Sequence, residues 1–67
     1  MDAIVFKQTN GKLQLMCGSF EMHFQRKGNS NVKRIYFENH NGKTGHCVPR
    51  KYNEPAKKKA IEILCRD

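Results

Sequence analysis

Three histidines (His23, His40, His46) and three cysteines (Cys17, Cys47, Cys65) are the side chains of this 67-residue chain with the most chemistry to offer. As metal ligands they would need the short paired spacing that lets one turn present two donors, and there is neither a CxxC pair nor a finger-like interval. They read as buried thiols and surface imidazoles, with no metal expected. His46 and Cys47 cannot act together as base and nucleophile, because adjacent residues of a strand point to opposite faces. His23 or His46 as general acid and base would make a small RNA-cleaving toxin, but nothing in the spacing pairs either with a second catalytic group. Gly42-Lys43-Thr44-Gly45 lacks the GxxxxGK[ST] pattern and reads as a hairpin rather than a strand-to-helix loop, so no nucleotide cofactor is expected. The chain reads as a non-enzyme.

Charge points instead to a surface that binds. The net charge is +7 and the pI about 9.7. Residues 26 to 59 hold ten Lys/Arg against two acids, whereas the rest hold three against four. A concentration of this kind suits a polyanion, nucleic acid before an anionic membrane.

Such a surface needs a frame. At 67 residues and 37% hydrophobic the chain makes one domain, residues 1–67, whose core is marginal unless tightly patterned. An odd cysteine count gives no disulfide framework and fits a reducing cytoplasm. No apolar run approaches the roughly 18 residues of a membrane span, and the N-terminus lacks the organisation of a signal peptide, so a soluble intracellular protein is expected. Ala3 to Gln8 is rich in strand formers, and Asn10-Gly11 turns into Lys12 to Cys17, with Leu13, Leu15 and Cys17 on one face. Gly18 interrupts the pattern as a kink or bulge before Phe20 to Arg26, where Phe20, Met22 and Phe24 oppose Glu21, His23 and Gln25. After a polar loop at 27–31, Val32 to Glu38 reads as a strand with Ile35 and Phe37 inward and Arg34 and Tyr36 outward. Asn41-Gly42 gives the strongest hairpin signal, a type I′ turn leading into Lys43 to Val48, which Pro49 ends. Asn53 reads as the N-cap of a helix that opens with Glu54 and Pro55 and buries Ala56, Ala60, Ile63 and Leu64.

From Tyr36 to Pro55 the chain resembles the small seven-kilodalton chromatin proteins of archaea. An aromatic-bearing strand (Tyr36, Phe37), the acid Glu38, then Gly42-Lys43-Thr44-Gly45, and Pro55 opening the helix carry the likeness, with Val5-Phe6-Lys7 matching in the first strand. The resemblance implies a mainly β, SH3-like or chromo-like barrel of about five strands, a two-stranded hairpin plus a three-stranded sheet, capped by one C-terminal helix. It also implies double-stranded DNA binding of low sequence specificity by a nucleoid-associated monomer, with the sheet on the minor groove and apolar wedges between base steps. Carried over by position, the DNA face holds Arg34, Tyr36, Thr44, His46 and Val48, with Val32 as a wedge. Phe24 (or His23 in the other register) is the large aromatic of the preceding strand. Lys43 and Arg26 join them on phosphates. The family's tryptophan has no counterpart here, and His46 stands where the family has arginine.

Two rivals use the same frame. A protein-interaction module of the chromo or SH3 kind, natural or engineered, would grip peptides or methylated lysine with outward aromatics such as Tyr36 and Tyr52. A small RNA-cleaving toxin would use His23 or His46. RNA remains a possible partner beside duplex DNA.

Overall fold

The computed structural model describes residues 3–41 and 47–65. Strands β1 (Ala3–Thr9), β2 (Lys12–Cys17), β3 (Phe20–Lys27) and β4 (Asn31–Asn39) form one antiparallel sheet in the order β1-β2-β3-β4, and helix α1 (Arg50–Leu64) packs against it. The fold is a small α+β arrangement, and among the described residues the sheet is open. Of the fifth strand expected over Lys43 to Val48, residues 43–46 lie outside the described residues, and Cys47 and Val48 are not in a strand.

Each connection within the sheet is a short turn with a glycine in the left-handed region. Gly11 has φ 78° and Gly28 φ 71°, a conformation that costs an L-residue roughly 1–2 kcal/mol. No described non-glycine residue has positive φ, so Asn10-Gly11 does not form the type I′ turn that the dipeptide favours, while the expected Asn41-Gly42 turn runs into residues 42–46, outside the described residues. Gly18, expected to kink a continuing strand, instead sits in the turn that reverses β2 into β3, with Cys17 opposite Phe20.

The period of two holds without interruption in β2 and β3. Leu13, Leu15, Cys17, Phe20, Met22 and Phe24 all face the helix and are buried. The two outer strands break it. In β1, Val5 pairs with Leu15 and Lys7 with Gln14, leaving Phe6 as an extra residue; in β4, Tyr36 pairs with His23 and Arg34 with Phe24, leaving Ile35 extra. These bulges reverse the parity of the chain at that point. Ile35, expected in the core, is 44% exposed, and Arg34, expected outward, lies on the helix side. Phe37 and Tyr36 fall as expected, inward and outward.

Helix α1 starts at Arg50 after Pro49, three residues before the expected cap, and the amides of Tyr52 and Asn53 both donate to the Pro49 carbonyl. Asn53 therefore lies inside the helix. Its side chain accepts a 2.6 Å hydrogen bond from Arg34 rather than capping the helix. Ala56 and Ala60, one turn apart, present almost no side chain and let the helix approach the sheet closely, while Leu64 closes the far end of the core. Tyr52 stacks on Phe20 at 5.4 Å, and Cys65 lies against the Asn31 carbonyl, so the helix runs from the β2–β3 turn towards the start of β4.

Gly11 and Gly28 have open space where a Cβ would stand, so Gly11→Ala and Gly28→Ala should each lose about 1 kcal/mol from backbone strain alone. Urea unfolding of each variant, at unchanged m-value, is the measurement; an unchanged midpoint would refute the left-handed turns.

Candidate nucleic-acid interface

One helix covers one face of the sheet, and the side chains of opposite parity are left on the other. They align across the strands in three rows. Ile4, Met16, Glu21 and Glu38 form the row nearest the β2–β3 turn. Lys7, Gln14, His23 and Tyr36 form the middle row, and Thr9, Lys12, Gln25 and Lys33 the row nearest the β1–β2 turn. The open face is thus polarised. Two exposed lysines, Lys12 and Lys33, with Gln25 and Thr9 occupy one end, Lys7 and Gln14 lie in the middle row, and two carboxylates occupy the other end.

A connected polar network holds the middle and acidic end. His23 Nε2 lies 2.6 Å from one carboxylate oxygen of Glu21, and His40 Nε2 lies 3.1 Å from the other. The Tyr36 hydroxyl donates to Glu38 at 3.0 Å, and its ring packs on His23 with centroids 4.6 Å apart. The hydrogen bond from His23, reinforced by His40, holds the Glu21 carboxyl below its ordinary range despite some opposing desolvation. Tyr36 is pushed above its usual 10.0, first because its hydroxyl donates to Glu38. Ionising it would place two negative charges in contact.

The residues named by resemblance are divided by this geometry. Tyr36 lies on the open face. Phe24 (1% exposed), Val32 (4%) and Val48 (7%) are core residues packed under the helix, so none of them can meet DNA or wedge between bases. Alternation along β3 groups Phe24 with Phe20 and Met22, and that reading prevails over the positional one. Arg34 sits beneath α1, donating to Asn53 and lying 4.8 Å from the centre of the Phe37 ring. Arg26 is exposed at the end of β3 but is engaged with its own turn, donating to the Gly28 carbonyl and to Asn29. Lys43, Thr44 and His46 lie outside the described residues. Sequence reasoning did not single out Lys7, Lys12, Gln14, Gln25 and Lys33, although Lys12, Gln14 and Gln25 share the parity read as outward in their strands.

A second cationic surface lies on the helix. Arg50, Lys57 and Lys58, with Glu54 paired to Arg50 at 3.3 Å, line a cleft of about 580 Å³ together with Val48, Asn53 and Ile61. An aromatic cage is not assembled among the described residues, since Tyr52 is turned to Phe20 and Tyr36 has only His23 beside it. No family model, curated protein or solved structure matches this chain.

Because the native Glu21 carboxyl is the stronger acid, its contribution to stability is complete at neutral pH and is lost as pH falls from about 4.5 through the lowered native value. Unfolding free energies measured between about pH 6 and pH 3 should fall more steeply for the wild type than for Glu21→Gln. Parallel profiles would remove Glu21 as the acid-sensitive group.

Proposed function

We propose that this chain is a non-enzymatic, low-specificity binder of double-stranded DNA that lays its open sheet face over the minor groove with lysines on the flanking phosphates. The observation that carries the reading is the cationic end of that face, where Lys12 and Lys33 flank Gln25 beside Thr9, with Lys7 and Gln14 in the adjoining middle row and no described element covering them. Four strands about 4.8 Å apart make a surface roughly 14 Å across, wider than a minor groove of about 6 Å, so the face bridges from backbone to backbone rather than entering. Bridging requires no kink, which agrees with the burial of Val32, Val48 and Phe24. The lysines supply affinity by counterion release, and the glutamines offer hydrogen bonds of limited selectivity. Arg50, Lys57 and Lys58 steer the approach from another surface. A five-stranded SH3-like barrel, with residues 43–48 as the added strand, is the finer form of the fold that accompanies this reading. It also accompanies a monomeric, cytoplasmic, nucleoid-associated protein.

Titration of a fluorescent duplex at several salt concentrations tests the binding. Lys12→Ala with Lys33→Ala should weaken it and flatten the slope of log K against log salt by about 1.8, or roughly 0.9 for each phosphate that is no longer neutralised. Lys57→Ala with Lys58→Ala should change the slope little. The reverse ranking, or no binding at low salt, would end the proposal.

A second reading, RNA cleavage, is favoured by one observation. His23 and His40 meet on the same carboxylate, which supplies the second catalytic group that sequence spacing did not reveal. General acid and base would then be the two imidazoles, with a lysine of the middle row on the phosphate. Incubation of labelled RNA with the wild type and with His23→Ala and His40→Ala distinguishes them. Cleavage reduced by more than about a hundredfold in both variants would replace the non-enzymatic reading.

A further inference from the structure

The acidic end of the open face carries an arrangement that DNA binding does not use. Glu21 and Glu38 are direct cross-strand partners, a placement in which like charges repel. His40 follows β4, with its backbone amide fixed to the Ser19 carbonyl at 2.9 Å, and its imidazole is carried over both carboxylates. His40 Nε2 stands 3.1 Å from a Glu21 oxygen and 3.7 Å from a Glu38 oxygen, and one donor atom from each of the three residues falls within 4.8 Å of the others.

The geometry points to a binding site for a zinc-class divalent metal ion, held by Glu21, Glu38 and His40 with its remaining position open to water. A tetrahedral ion with bonds of about 2.0–2.1 Å keeps its donors about 3.3 Å apart, and the two His40 distances bracket that separation. Binding would turn the carboxylate pair from a source of repulsion into a set of ligands. Each carboxylate is also already oriented by a group that need not ligate. His23 holds the other oxygen of Glu21, and the Tyr36 hydroxyl donates to the Glu38 oxygen that faces His40. Outer groups of this kind fix the direction of ligand lone pairs and set affinity. The donor set of one imidazole and two carboxylates suits zinc, manganese or cobalt, whereas magnesium prefers oxygen ligands and retains its water. Glu38 and His40 are exposed, so the site is reachable from solvent and their replacement leaves the core intact.

Calorimetric titration of the full chain with zinc chloride tests the site, with cobalt as a spectroscopic probe. The expected result is one ion per chain, visible cobalt bands without a thiolate charge-transfer band, and affinity unchanged in a Cys47→Ser, Cys65→Ser variant. His40→Ala and Glu38→Gln should each bind at least about tenfold more weakly, and the positioning variants Tyr36→Phe and His23→Gln about tenfold more weakly with circular dichroism unchanged. Magnesium should bind at least about tenfold more weakly than zinc. Zinc affinity equal to the wild type in both His40→Ala and Glu38→Gln, loss of binding in the cysteine variant, or no one-to-one binding at all would overturn the assignment. None of these outcomes depends on DNA, so failure of the site and failure of the DNA reading are separate results.

Discussion

The structure depends on the fact that a single fifteen-residue helix can cover only one side of a four-stranded sheet. Burial of Leu13, Leu15, Met22 and Phe24 against Ala56, Ala60 and Leu64 removes the largest apolar side chains from water, each contributing roughly 1.5–3 kcal/mol for the larger ones. Because side chains alternate, every residue placed under the helix sends its neighbour to the other side. The composition of the open face is therefore a by-product of core packing in β2 and β3. Slipping either strand by one residue would exchange the two faces, exposing the leucines and burying Gln14 and His23.

That open face divides its charges by position along the strands. Lys12 and Lys33 lie towards the β1–β2 turn, and Glu21 and Glu38 towards the opposite turn, with Lys7, His23 and Tyr36 between them. The separation matters because an interspersed pattern would cancel the field, while a segregated one gives a cationic end and an acidic end. Hydrogen bonds link Glu21 to two imidazoles and Tyr36 to Glu38. They give the sheet surface a fixed shape on its uncovered side.

Much of this was legible in the sequence. The alternation of Leu13, Leu15 and Cys17, and of Phe20, Met22 and Phe24, identified two central strands and their buried face, and the spacing of Ala56, Ala60 and Leu64 identified the helical stripe. The outer strands were less legible because a bulge adds a residue without leaving a mark in composition. Alternation alone therefore puts Arg34 outward and Ile35 inward, the reverse of their positions. The helix start was missed because Asn53 and Pro55 look like opening residues, whereas Asn53 serves as a partner for Arg34 and Pro49 precedes the first turn. Resemblance puts Val32 and Phe24 on the DNA face, and alternation along the expected fifth strand adds Val48, but all three belong to the core. The carboxylate–imidazole cluster was hidden for a different reason. Its members sit at positions 21, 23, 38 and 40, and only the pairing of β3 with β4 brings them together.

The two bulges lie in β1 and β4, which border the sheet among the described residues, and each projects a large apolar side chain, Phe6 or Ile35, out of register. A straight border of unpaired amides and carbonyls is a template on which further copies can stack by backbone pairing, the first step of fibril growth. A displaced residue interrupts that template and twists the border, so a second molecule cannot match its hydrogen bonds over the whole strand. A border bent in this way is a poorer template for a second copy, and deletion of either extra residue would straighten the strand.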